Sequence, residues 1–249
     1  MRKITLEDRK LFEHYLSTQK RKSFYQFFPF LFSVAETDES RFRWKLTDDY
    51  TLLVYCDNDL YYPPLPLGEI PKNVKSIQIS LDKIPHWNTF LYDYDYIYQP
   101  EKALNSVKKN SKKLEDSLYV EKFNLKDCIK VLFHWYKHRK KGCFFDAGWV
   151  LYVVRNLEPL GLKANLIYER DGTPAGVNVW GYFNKNEAVH LICKTKVNYQ
   201  DFLRFKLYEK FLDEGVEKIY DGGDLGDYGL RRYKHKFKPD IYPLFELRR

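Results

Sequence analysis

Apolar positions recur along this chain with two periods, and the switch between them marks out its elements. Thr5 precedes an acidic first turn, and Leu11, Phe12, Tyr15 and Leu16 follow at helical spacing, which predicts a capped helix near the start. Residues 24–34 are densely aromatic and apolar and are broken by Pro29. Residues 42–46 and 50–56 read as strands around an Asp48-Asp49 turn. Pro63, Pro64 and Pro66 make 61–68 a rigid loop, because proline cannot serve a central strand. A short helix or turn and a strand at 76–79 follow, and 93–98 is a strand or an extended loop. Residues 100–121 are polar and lysine-rich, the pattern of a solvated helix face or connector and the best place for a domain boundary.

The second half begins helical. Asn124 caps a helix over 125–141 whose stripe is Leu125, Cys128, Ile129, Leu132, Trp135 and Tyr136, with Gly142 as its stop. Five basic residues at 137–141 complement the dipole at its end, so that charge run has a structural explanation. Another helix covers 147–157. The period then falls to two, predicting strands at 162–169, 175–183 and 188–194. A helix over 199–214 places Phe202, Leu203, Phe205, Leu207, Phe211 and Leu212 on its buried side. A strand at 216–220, a glycine-rich loop and a last helix or strand complete the order, and no repeat is visible.

With 249 residues the chain can form one large domain or two small ones, and 44% hydrophobic content excludes global disorder. The 21 Tyr and 18 Phe either fill cores or offer surface for stacking on bases. A net charge of +8 favours anionic partners: nucleic acid, phosphorylated cofactors or anionic headgroups. The first residues lack a signal peptide's apolar core, and no stretch approaches the ~20 apolar residues of a membrane span. Cys56, Cys128, Cys143 and Cys193 are scattered, as reduced buried thiols are, so a cytoplasmic protein is expected.

The densest chemistry lies at 220–239, Tyr-Asp-Gly-Gly-Asp-Leu-Gly-Asp-Tyr-Gly-Leu-Arg-Arg-Tyr-Lys-His-Lys-Phe-Lys-Pro. Glycine permits positive φ and close backbone approach, and the basic residues behind it supply charge for an anionic group. Lys108, Lys109 and Lys112, with Lys102 and Lys113, are either a solvated face or an anion-binding surface. His190 is a core histidine or a base, and strand alternation places Lys194 on its face. Cys128, His134, His138 and Cys143 lack the paired spacing of a zinc site, and no metal is expected. Gly-x-Ser-x-Gly and Walker-type loops are absent.

Antiparallel strands followed by a helix and another strand resemble the GNAT acyltransferase fold. Asp224-Leu225-Gly226, Gly229-Leu230-Arg231, Lys234, Phe237 and Pro239 resemble the C-terminal signature of the DUF2156 family, also described as the phosphatidylglycerol lysyltransferase C-terminal-like domain. Asp95-Tyr96-Ile97-Tyr98 is similar to that family's aspartate-tyrosine motif ahead of a basic helix, and 190–194 to its histidine–lysine strand. The resemblance runs from about residue 93 to the end, with weaker agreement at 5–16. Tyr233-Lys234-His235-Lys236-Phe237 also resembles the aromatic-Lys-x-x-aromatic motif at the active centre of Fem-type aminoacyltransferases.

The resemblance implies an α+β protein of two tandem GNAT-like halves, 1–105 and 106–249, each a mixed, mostly antiparallel sheet flanked by helices, with the reaction in the cleft between them. It implies transfer of an aminoacyl group from aminoacyl-tRNA to an amine or hydroxyl acceptor such as a lipid headgroup, a peptide or a small molecule, with no tightly bound cofactor. Lys234 and Arg231 would stabilise developing negative charge, with Asp224 as orienter or base. His190, Lys194, Tyr96, Tyr98, Gly226, Gly229 and Tyr233 would meet substrate, and Lys108, Lys109, Lys112 and Arg232 would meet anionic groups.

Two departures qualify the pattern. Residues 108–113, Lys-Lys-Asn-Ser-Lys-Lys, are basic but lack the arginine of many members. Acetyl-CoA-dependent GNAT enzymes carry a glycine-containing pyrophosphate loop where strand meets helix; here 196–203 has no glycine and carries Asp201. An acyl-CoA-dependent N-acyltransferase is therefore the rival reading, and a catalytically inactive module that binds RNA or protein is another.

Overall fold

The computed structural model describes residues 1–37, 42–138, 147–196 and 199–249. Asp8 Oδ2 accepts the Thr5 backbone N–H at 2.8 Å, closing a 3-10 turn that leads into α1 (Arg9–Ser17). Helix α2 (Phe28–Thr37) begins one residue before Pro29. Pro29 therefore opens the helix rather than breaking it, because the N–H it lacks has no intrahelical partner in a first turn.

The described residues divide into two compact units that are not contiguous in sequence. The first comprises Met1–Tyr96, Gly222–Tyr228 and Ile241–Arg249, and the second Ile97–Asp221 and Gly229–Asp240. Strands of the first are β1 (Arg2–Lys3), β2 (Phe42–Leu46), β3 (Leu52–Cys56), β4 (Asp59–Leu60), β5 (Ser76–Ser80) and most of β6 (Asn88–Tyr98). The expected hairpin is present, with Phe42 opposite Cys56 and Leu46 opposite Leu52. Every pair from β1 to β4 is antiparallel, and β4 pairs β5 in parallel. Leu53, Tyr55, Leu60, Val74 and Ile77 pack with Leu247 into a core cluster of this unit.

The second unit contains α3 (Pro100–Lys112), β7 (Leu118–Lys122), α4 (Leu125–Lys137), α5 (Ala147–Arg155), β8 (Lys163–Glu169), β9 (Pro174–Asn184), β10 (Glu187–Thr195), α6 (Gln200–Asp213), β11 (Lys218–Tyr220) and α7 (Tyr228–His235). The last strand, β12 (Asp240–Arg248), returns to pair antiparallel with β5. Strands β7, β8, β9 and β10 form an antiparallel run, and β10 pairs β11 in parallel. Tyr98 and Ile97 at the end of β6 pair with Ile219 and Tyr220. Helices α4 and α6 both pack on β9 and β10, and α6 also packs on α3.

Three sequence expectations change here. Residues 118–122, read as polar connector, form strand β7 at the margin of the unit, with Leu118 buried and its last three residues exposed. A charged, mostly exposed edge strand reads as connector because one buried position shows no period. Helix α6 buries Arg204 and Tyr208 along with its apolar residues, while Leu212 is exposed. A register shift between His190 and Ile192 breaks the alternation of β10: His190 pairs with Trp180, and Lys194 pairs with Val177. These partners lie on opposite faces of β9, so His190 and Lys194 do not share a face. Gly142, the expected helix stop, lies outside the described residues.

Candidate functional site

Strand β11 ends at Tyr220, and the next side chain, Asp221, enters the interior of the second unit. Arg204 reaches it from α6, Lys234 from α7 and Tyr98 from β6. Asp221 Oδ2 lies 3.1 Å from Arg204 Nη1 and 3.3 Å from Lys234 Nζ, and accepts the Tyr98 hydroxyl at 3.1 Å. Lys234 Nζ also donates to the Asp221 backbone carbonyl at 2.5 Å. Arg204 Nη1 also donates to the Tyr208 hydroxyl at 2.7 Å, one helical turn on. Asp221, Arg204 and Lys234 are all buried.

Burial opposes the Asp221 charge, but the guanidinium of Arg204 and then the ammonium of Lys234 outweigh it and hold the carboxyl at about 2. Such a cluster is weak evidence for stability, since desolvation offsets much of the attraction; deleting one partner would nevertheless strand a buried charge. His190 completes the surroundings. Asn178 Nδ2 donates to the Leu203 carbonyl at 2.9 Å, so Asn178 Oδ1 must accept from His190 Nε2, 3.0 Å away. Neutral His190 therefore carries its proton on Nε2 and turns the bare Nδ1 towards Asp221 Oδ1, at 3.5 Å. Burial first, then Arg204, pushes the imidazole down to about 3.

A second carboxylate stands in the first turn of α6. Asp201 accepts from Asn110 Nδ2 at 3.0 Å, from the Tyr233 hydroxyl at 3.3 Å and from Lys236 Nζ, while Ser111 Oγ donates to its backbone carbonyl at 3.0 Å. The protein's own anion thus sits at the end of the helix where the dipole favours negative charge.

In the first unit the glycine-rich loop wraps a third carboxylate. Asp93 accepts the Tyr25 hydroxyl at 2.9 Å and the backbone N–H groups of Asp224 and Leu225 at 3.2 and 3.3 Å. A Cβ on Gly223 would lie 1.7 Å from Asp93 Oδ2, so only glycine lets the loop close on this carboxylate. Asp224 accepts from the Tyr96 hydroxyl at 2.5 Å and from the Gly226 N–H at 2.9 Å. Leu225, at φ +50°, is 77% exposed.

These positions distribute the expected site residues. Lys234, Tyr98 and His190 meet around Asp221. Arg231 is half-buried on α7, and Arg232 and Gly229 are exposed there. Tyr233 binds Asp201 rather than joining the Asp221 cluster by hydrogen bond. Tyr96, Asp224 and Gly226 belong to the loop of the first unit. Lys194 lies over the Trp135 ring of α4, its Nζ 3.8 Å from the centroid. Lys108, Lys109 and Lys112 are exposed on α3. Asp221, Arg204 and Asp93 were not singled out from sequence. Arg204 carried a signal, a charge set among Phe202, Leu203, Phe205 and Leu207. Among the described residues no group of three His, Cys, Asp or Glu side chains is arranged to hold a metal, and Cys143 lies outside them. No helix among them is long and apolar enough to cross a membrane.

Comparison with solved structures decides the fold. The chain has a tandem GNAT-like fold. A conserved protein of unknown function from Bacteroides thetaiotaomicron superimposes with a TM-score of 0.80 at 15% identity, over 99% of this chain and 98% of that one. L-PGS from Bacillus licheniformis gives 0.65 at 13% identity, over 97% and 92%. A C-terminal DUF2156 domain from Agrobacterium fabrum gives 0.62 at 12% identity, over 96% and 92%. FemX and a tandem GNAT protein from the clavulanic acid biosynthesis pathway share the fold, with TM-scores of 0.65 and 0.51 at 10% and 7% identity, over 98% of this chain in each case and 96% and 97% of theirs. The sequence matches no family model and no curated protein. The resemblance expected from the motifs is thus carried by the fold over nearly the whole length.

Proposed function

We propose that this chain is an aminoacyltransferase that moves an aminoacyl group from aminoacyl-tRNA to an amine or hydroxyl acceptor: a lipid headgroup, a peptide or a small molecule. The observation that carries the reading is the buried ammonium of Lys234, held by both the carbonyl and the carboxylate of Asp221. The fold shared with L-PGS and FemX supports it. In such a transfer the acceptor attacks the ester carbonyl, the carbonyl oxygen becomes an oxyanion, and the C–O bond to the ribose breaks as the oxyanion collapses, the ribose oxygen taking up the proton that the acceptor gives up. A fixed cation stabilises the charge at both stages, and one preorganised donor of this kind contributes about 3 kcal/mol to lowering the barrier. Lys234 takes that role. Arg231, three residues earlier on α7, supports it from the same side of the helix. Asp224 orders the loop through Tyr96 and Gly226 rather than acting on the proton.

Asp201 weighs against an acyl-CoA donor. A carboxylate in the first turn of α6, with Lys236, Tyr233 and Asn110 upon it, sets a negative charge at the helix end where a pyrophosphate would sit. The test is direct. The protein is incubated with charged tRNA and amine or hydroxyl acceptors, and label leaving the tRNA ester is followed into product. Lys234→Ala is expected to abolish transfer with the fold retained; full activity in that variant overturns the reading. In parallel, acetyl-CoA is expected to leave the melting temperature unchanged. A ligand at ~100 times its dissociation constant would add about 2.7 kcal/mol, so a clear upward shift would favour the acyl-CoA donor instead.

A further inference from the structure

We infer that Asp221 is a positioning residue for Lys234, fixing the place and the charge of its ammonium, and that Arg204 sets how much of the carboxylate Lys234 receives. This rests on Lys234 being the group that meets the developing charge. A lysine is a point charge on a flexible four-carbon stem, so nothing in its own chemistry aims it. Asp221 supplies two acceptors to one ammonium, its main-chain oxygen at 2.5 Å and Oδ2 at 3.3 Å. The main-chain contact cannot swing away with a side-chain rotamer, so it fixes position. The carboxylate contact fixes charge.

That carboxylate is shared. Oδ2 also serves Arg204 Nη1 and the Tyr98 hydroxyl, each at 3.1 Å. His190, neutral with its proton on Nε2, turns a lone pair and not a donor towards Oδ1. The charged and titratable groups of the second unit that gather about Asp221 and Lys234 include Arg204, His190, Tyr98, Tyr208, Tyr233 and the thiol of Cys193, which burial holds above its ordinary range. Arg204 and Lys234 compete for the Asp221 carboxylate. Removing the carboxylate and removing the competitor must therefore move Lys234 in opposite directions. A cluster that is only structural would show the same opposition in the titration of Lys234 but would leave the alkaline limb of transfer unmoved.

The experiment follows Lys234 by carbon NMR of the full chain carrying lysine labelled at Cε, the signal being assigned by its loss in Lys234→Arg. Asp221→Asn, which leaves two buried cations facing a neutral amide, is expected to lower the pH at which Lys234 loses its proton by about one pH unit or more. Arg204→Met is expected to raise it. Tyr98→Phe, which deletes one neutral donor and preserves the ring, should raise it slightly and carries the test if the other two fail to fold. The alkaline limb of the transfer rate should move with the NMR midpoint in each variant. An unchanged midpoint, a shift in the same direction for Asp221→Asn and for the Arg204 or Tyr98 variants, or an alkaline limb that stays in place while the midpoint moves, overturns the inference. If the midpoints move as expected while Lys234→Ala still transfers, the coupling of Asp221 to Lys234 stands and the proposed function falls.

Discussion

Asp93 and Asp221 are both buried aspartates at the end of a strand or within it, and their surroundings differ in kind. Asp93, in the first unit, accepts from neutral donors: a tyrosine hydroxyl and two backbone N–H groups of the glycine-rich loop. Asp221, in the second, faces a guanidinium and an ammonium as well as a tyrosine hydroxyl. The first arrangement spends a carboxylate on the shape of a backbone. The second spends one on the placement of charge, which a fold has little need to bury for stability alone. Local geometry at Gly223 and Leu225 thus shapes a backbone, and the cluster around Asp221 concentrates charge.

The sharpest way to break this contrast is Asp221→Ala. It leaves two buried cations without their carboxylate and is expected to cost about 3–5 kcal/mol in urea unfolding; a loss near zero would mean the cluster is solvated and the contrast false. Acid should act through the same cluster. The imidazole of His190 is held neutral, down to about 3, so the folded state resists a proton that the unfolded chain accepts near 6.5. Its contribution to stability is therefore present above about pH 6.5 and is lost as pH falls through the folded value. Asp221, held at about 2, adds a second loss below about pH 4. Unfolding measured from pH 7 to 3 should fall accordingly, and His190→Gln should flatten the upper part of that fall.

Effects in the first unit should be smaller. Gly223→Ala drives a methyl into Asp93 and is expected to cost about 1–3 kcal/mol as the loop shifts. Asp93→Asn keeps one acceptor and the shape, and should cost about 1–2 kcal/mol. If Asp93→Asn proved as damaging as Asp221→Ala, the two aspartates would not differ in kind.

Much of this was legible in the residues, and the gaps have physical causes. Period and turn chemistry located the β2–β3 hairpin, the three long strands of the second unit and α6, because each buries one face over many residues. Strand β7 was not legible, since an edge strand with one buried residue has no period. The register shift at His190 has no glycine to announce it and turned Lys194 to the face of Trp135. The C-terminal motif pointed to Lys234 but not to its partner. Asp221 looked like one more polar residue in a glycine-rich stretch, and Arg204 like a gap in an apolar stripe. Both acquire meaning only when β11, α6 and α7 bring them within about 3 Å of one another.

In the proposed reaction Lys234 meets the charge of an aminoacyl transfer. The most direct measurement is single-turnover transfer from charged tRNA, comparing the natural protein with Lys234→Ala at equal folded concentration. A fall of about 10²–10³-fold or complete loss is expected. Equal rates in the two proteins would contradict it.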